Sequence, residues 1–131
     1  MINVRVKYYK RDEHFRRIND LGKVESFRVI KSWARGKTLD VGCGVGYITN
    51  YLGAIGIDVN AAALKLAKKY YPHLDVIRAS CEALPFRTSC FDTILCYNVL
   101  EHLTENERMK TLKEVKRALT DKGYFILGME D

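Results

Sequence analysis

Residues 38–46 read Thr-Leu-Asp-Val-Gly-Cys-Gly-Val-Gly, a short apolar run that breaks into three glycines at alternate positions. The run suits a strand buried on both faces, and the glycines allow a tight turn that hands over to a helix at Tyr47. One glycine is enough for such a turn. Three leave the backbone bare of Cβ atoms, so that a ligand can approach the main chain beside a helix N-terminus. A nicotinamide or flavin turn needs a further small residue at 47, where this chain has Tyr47. No G-x-x-x-x-G-K-[S/T] run occurs, which excludes a P-loop.

The same alternation continues downstream. A short helix covers 47–52, and AIGIDV (54–59) is a second strand. Asn60 stands where it caps a helix over 61–71 that Pro72 stops. Third, fourth and fifth strands are read at 74–79, 92–98 and 124–128. Thr104 and Glu107 form a capping box for a helix with Met109, Leu112, Val115 and Leu119 as its apolar stripe, closed by Gly123. Strands alternating with helices give an α/β, doubly wound, mostly parallel sheet with helices on both faces. Residues 1–37 read as a helical segment broken at Gly22. Beyond that break Val24, Phe27, Ile30 and Trp33 face the core, and Gly36 ends the helix. The expectation is one domain over 1–131, with an N-terminal helical segment (1–37) and an α/β core (38–131).

Charge and cysteine usage narrow the partners. The 22 Lys and Arg outnumber the 16 Asp and Glu, for a net charge of +6. The basic residues are scattered along the chain, which reads as solvated helix faces rather than a nucleic-acid patch. Cys43, Cys81, Cys90 and Cys96 form no C-x-x-C pair and have no histidine at zinc spacing. They read as free thiols in a reducing, cytoplasmic compartment, with no metal site. His14 and His73 read as surface residues. The opening residues MINVRVKYYKRDEH hold no signal-peptide apolar stretch, and no run approaches the ~20 residues of a membrane span.

A second motif, Gly56-Ile-Asp-Val-Asn60, sets an acid at the carboxyl end of the second strand, 18 positions after Asp40. There Asp58 can accept hydrogen bonds from both ribose hydroxyls of a nucleoside. With this pair on the page, the chain resembles the class I S-adenosylmethionine-dependent methyltransferases, in their small LDVGCGxG branch with an LPF segment. The resemblance rests on LDVGCGVG (39–46), GIDVN (56–60), EALPF (82–86), FDTILCYNVLEHL (91–103) and KEVKRALTDKGYFIL (113–127). It implies a Rossmann-like sheet ordered 3-2-1-4-5, with S-adenosylmethionine across the carboxyl ends of strands 1, 2 and 4. Asp40 and the backbone of Gly42, Cys43, Gly44 and Gly46 would hold the methionine part. Asp58 would take the ribose, Val59 would pack on adenine, and Asn98 would offer its carbonyl to the amino group. Ser80, Cys81 and Glu82 would line the adenine edge. Tyr8, with Tyr9, precedes the first helix, where relatives place aromatics over the methionine end; packed aromatics are the equal alternative.

Two departures from the family pattern matter. Ser80 stands where the usual G-D-A-E-x-L-P-F has an Asp, and a hydroxyl is a weaker acceptor than a carboxylate. The chain also stops at Asp131, whereas full members continue with a helix and an antiparallel pair of strands. Strand 5 is therefore expected at a bare sheet edge, covered by a second copy of the chain, another subunit or the N-terminal helices. His102, in Glu101-His102, is a weak candidate base; the plainer reading is a turn into the capped helix. Cys96-Tyr-Asn-Val lacks the prolines of nucleobase amino-methylation, and neither Pro72 nor Pro85 precedes a cysteine. A small-molecule acceptor methylated by in-line displacement is the leading function. A cofactor-binding, partner-dependent subunit without its own acceptor pocket and an RNA-modification component are the alternatives.

Overall fold

The computed structural model describes the backbone at residues 4–10, 17–21 and 23–130, and side chains at 25–129. In chain order the elements are β1 (Val4–Lys10), β2 (Arg17–Leu21), α1 (Lys23–Trp33), β3 (Thr38–Val41) and α2 (Tyr47–Leu52). They continue with β4 (Ile55–Asp58), α3 (Ala61–Tyr70), β5 (Val76–Arg78), β6 (Phe91–Tyr97), α4 (Glu105–Ala118) and β7 (Leu119–Glu130). A single 3-10 turn, Leu100–His102, lies between β6 and α4.

The sheet runs β2-β1-β7-β6-β3-β4-β5. Its parallel part, β7-β6-β3-β4-β5, is the 3-2-1-4-5 order of the sequence reading counted from the other edge. β3 lies at the middle, with Leu39 opposite Ile55 of β4 and opposite Ile94 of β6. The chain order reverses at β3, and such a switch point opens a crevice at the carboxyl ends of the strands.

Side-chain alternation along β6 and β7 divides the core in two. Ile94, Cys96, Phe125 and Leu127 face one way, into a cluster with Leu39, Ile57, Val115 and Ala118. Leu95 and Ile126 face the other way, onto Ile30 of α1, with Phe27, Trp33, Ile48 and Leu52 around them. Strands filled on both faces read as continuous apolar runs, which is why 92–98 carried no alternation in the sequence. α4 buries Thr111, Val115 and Ala118. Met109 and Leu112, read as part of its apolar stripe, are 66% and 42% exposed. The small Ala118 and the internally bonded Thr111 let the helix lie close on the sheet, and this turns the longer side chains outward. The capping box forms as expected, with Thr104 Oγ1 accepting from Glu107 N–H at 3.2 Å and Glu107 Oε1 from Thr104 N–H at 2.9 Å. Gly123 lies inside β7 rather than closing α4, which ends at Ala118 with Leu119 already extended.

The helical reading of 1–37 needs correction. Among the described residues of this segment only Lys23–Trp33 is helical; Val4–Lys10 and Arg17–Leu21 are antiparallel strands. The break read at Gly22 lies outside the described residues. In Val-Arg-Val-Lys-Tyr the β-branched and aromatic residues alternate with cations, a pattern that favours a pleated strand. β1 runs antiparallel along β7, with Tyr8 opposite Ile126. Strand 5 of the sequence reading, now β7, therefore has no bare edge, and the reason for a homodimer or heteromer through it disappears. The N-terminal hairpin covers it, as strands rather than as helices.

Removing residues 1–21 restores a bare apolar edge on β7. The shortened chain is expected to self-associate, with a light-scattering mass that climbs with concentration above that of the full chain. An unchanged mass would show that β1 does not protect this edge.

Candidate functional site

β3 delivers the glycine turn to the crevice. Gly42, Gly44 and Gly46 all have left-handed backbones, with φ of 73°, 54° and 88°. Gly42 N–H and Cys43 N–H both donate to Ile57 O, at 2.8 and 2.9 Å, and so fold the turn onto β4. A Cβ at Gly42 would strike Val99, and one at Gly46 would strike Leu74. Only Gly44 borders open space. Two of the three glycines thus serve packing and turn geometry, and one leaves room for a ligand.

Asp58, at the end of β4, ties two elements together. Its Oδ2 accepts from Gly44 N–H at 2.8 Å, and its Oδ1 accepts from Asn60 N–H at 2.9 Å. Asn60 in turn caps α3, accepting from Ala63 N–H at 3.1 Å. Each carboxylate oxygen offers about two acceptor positions, so both can still accept a further bond.

Beneath the turn Asp40 is 3% exposed and accepts from the Thr49 hydroxyl at 2.7 Å. Burial pushes its carboxyl up to about 7; the Thr49 hydrogen bond holds it down in part, and the Asp58 charge adds to the rise. Burial, with the charges of Asp40 and Asp58, pushes the Cys43 thiol up to about 12. Cys43 is therefore a neutral packing group rather than a nucleophile. Cys96 is raised as well, again by burial first.

Two cavities flank the tip of β3. The larger, about 570 Å³, is walled by Asp40, Gly42, Cys43, Gly44, Asn98 and an aromatic group of Phe27, Tyr47 and Tyr97. The Phe27 ring lies 5.5 Å from that of Tyr47 and 5.6 Å from that of Tyr97. The smaller, about 340 Å³, is walled by Asp58, Val59, Ser80, Cys81, Glu82 and His102. Gly42 and Asn98 stand in both walls. Val59 is 62% exposed, an apolar face turned outward beside Asp58. Asn98 has a left-handed φ of 56°, a conformation Asn tolerates better than most side chains. Ser80 Oγ accepts from Glu82 N–H at 3.1 Å, so that amide is already engaged within the turn.

Most sequence-named residues thus converge on one crevice. His102 is exposed and stands in the smaller cavity, away from the aromatic wall of the larger one. Tyr8 enters β1, and its side chain lies outside the described residues. Sequence reasoning missed Thr49, Phe27, Tyr47 and Tyr97 as site residues. Helical spacing marked Phe27 as core, and nothing local marks Thr49 as the partner of Asp40. Among the described residues, no cluster of His, Cys, Asp and Glu could hold a metal ion, and no helix is long and apolar enough to cross a membrane.

Comparison with known proteins decides the family. The model for the methyltransferase domain matches residues 39–127. The chain belongs to that family. An uncharacterized protein of Methanocaldococcus jannaschii is 37% identical over 92 residues, covering 68% of this chain and 38% of its own length. The crystal structure of a TehB-like SAM-dependent methyltransferase from Corynebacterium glutamicum superposes with a TM-score of 0.69 at 28% identity, over 77% of this chain and 59% of that one. A Pyrococcus horikoshii protein superposes with a TM-score of 0.73 at 26% identity, over 79% of this chain and 50% of that one. The chain spans less than half the length of the curated relatives it matches first, 38%, 34% and 46% of theirs.

In this methyltransferase domain the raised Asp40 leaves a pH signature. Between the unfolded value of 3.8 and the folded value of about 7, the native state binds more protons than the unfolded state. Stability from this group therefore falls as pH rises through that window. The urea midpoint of the wild type should decline from pH 5 to pH 8 relative to Asp40→Asn. Parallel profiles for the two proteins would mean that Asp40 is not held protonated.

Proposed function

We propose that this domain binds S-adenosylmethionine along the crevice and directs its methyl group to a small-molecule acceptor by in-line displacement. One observation carries the reading. Asp58, already fixed by Gly44 and Asn60, stands beside the exposed Val59 in one cavity, while Asp40 lies in the next cavity across Gly42. That spacing suits a ligand with a nucleoside at one end and an ammonium at the other.

In this reading the spare acceptor positions of Asp58 take the ribose hydroxyls. Val59 packs on adenine, and Ser80, Cys81 and Glu82 line its edge. Asp40, the turn from Gly42 to Gly46 with Cys43, and Asn98 hold the methionine end. Bound there, the cofactor supplies an electrophilic methyl group on a sulfonium. Phe27, Tyr47 and Tyr97 shield that end from water and align an acceptor, and alignment with desolvation supplies much of the acceleration. His102, on the nucleoside side, is not needed as a base. Among the described residues, the wall of the larger cavity has no cation, which agrees with a neutral or cationic acceptor.

Calorimetric titration with S-adenosylhomocysteine, followed by a methyl-acceptor screen, tests the reading. Asp58→Ala removes hydrogen bonds to a charged acceptor, each worth ~1.5–3 kcal/mol gross, and affinity should fall at least about tenfold. Unchanged affinity would falsify the ribose assignment. NADH in excess should leave the bound ligand in place, since Tyr47 fills the position where a dinucleotide turn needs a small residue. Affinity should also rise between pH 6 and pH 8, because an ammonium beside Asp40 favours its ionised form and binding then releases a proton.

A further inference from the structure

The segment from Ser80 to Ser89 has no regular secondary structure, yet its first residues wall the smaller cavity. Its conformation is held from outside, by one face of α4. Thr111, Glu114 and Arg117 recur at three-residue spacing, and each bonds to the segment. Thr111 Oγ1, whose proton faces Glu107 O at 2.9 Å, stands in hydrogen-bond contact with Cys81 Sγ at 3.3 Å. Glu114 Oε1 accepts from Leu84 N–H at 2.8 Å, and Arg117 Nη2 donates to Leu84 O at 3.2 Å. Both polar groups of Leu84 are thereby bracketed by one acid and one base. The pair is itself locked, with Arg117 Nε on Glu114 Oε2 at 2.6 Å and Nη2 on Oε1 at 3.2 Å. Arg117 Nη1 reaches Thr88 Oγ1 at 3.3 Å, and its backbone carbonyl accepts from Ser89 N–H at 2.9 Å.

A surface ion pair of this sort contributes little to global stability when it touches nothing else. Here it meets both sides of a buried residue, since Leu84 is 6% exposed and packs in the core cluster with Ile57 and Leu100. A loop without its own ladder of hydrogen bonds opens locally at low cost unless such contacts hold it. The segment is then competent to bind only for the fraction of time it holds this shape, and affinity is reduced by that fraction.

We infer that Glu114 and Arg117 are positioning residues for cofactor binding, acting through Leu84 to preset the segment that carries Ser80, Cys81 and Glu82. This rests on the reading of the crevice as the S-adenosylmethionine site. Neither residue lines either cavity, so neither touches the ligand.

The test uses Glu114→Ala, Glu114→Gln and Val115→Ala, with S-adenosylhomocysteine as the titrant. Hydrogen exchange over residues 80–90 and the melting temperature are followed in parallel. Glu114→Ala should accelerate exchange in 80–90 without ligand and raise Kd about tenfold. Glu114→Gln keeps an oxygen for the Leu84 N–H and should recover most of that affinity. Val115, next to Glu114 and buried in the core cluster but with no side-chain hydrogen bond to the segment, is the stability control. Val115→Ala should lower the melting temperature with Kd within about twofold of wild type. Faster exchange in Glu114→Ala with unchanged Kd would overturn the inference, as would a Kd in Val115→Ala raised as far as in Glu114→Ala. Wild-type protein that fails to bind S-adenosylhomocysteine would overturn the cofactor reading itself, and this inference with it.

Discussion

The carboxylate of Asp58 joins the end of β4 to the glycine turn through Gly44 and to the start of α3 through Asn60. Much of the crevice depends on that one group. Three glycines in left-handed conformations make a turn with little intrinsic preference for one shape, because glycine has the most freedom to lose on folding. The Gly44 N–H bond to this charged acceptor, with the pair of amides on Ile57 O, fixes it. Burial is the main cause of the raised Asp40 pKa, and the charge of Asp58 adds to it, so the two acids are electrostatically linked across the turn.

The two ends of the crevice are supported in different ways. At the larger cavity, β3 and α2 bring Asp40 and Thr49 together in a buried pair, and Phe27 and Tyr97 rest on the α1 face of the sheet. At the smaller cavity, an irregular segment is bonded to side chains of α4. The members of the first arrangement lie on regular elements, with Asp40 and Thr49 buried. The second needs side-chain brackets, because a loop cannot satisfy its own backbone groups.

The N-terminal hairpin shows how the sheet solves an edge problem. β7 offers a row of unpaired backbone groups next to a core that holds Phe125, Ile126 and Leu127. β1 satisfies them, and β2 extends the sheet by a short outer strand. The antiparallel pair at that edge comes from the N-terminal side of the chain.

Local sequence determined the parallel core, because each signal in it has a local cause. Apolar runs mark buried strands, Asn60 and Thr104 mark helix starts through their own caps, and the spacing from Asp40 to Asp58 follows from one strand-helix-strand unit. Asp58, Val59 and the glycine turn were legible for the same reason. Tertiary structure alone decided the rest. Whether residues 4–10 became helix or strand depended on an open edge formed more than 100 positions later. Which side of α4 was buried depended on how closely Thr111 and Ala118 could approach the sheet. The partners of Asp40 and Leu84 lie on other elements, where no periodicity points to them. Burial and pairing are properties of neighbours in space, and a hydrogen bond between distant positions leaves no local pattern in the chain.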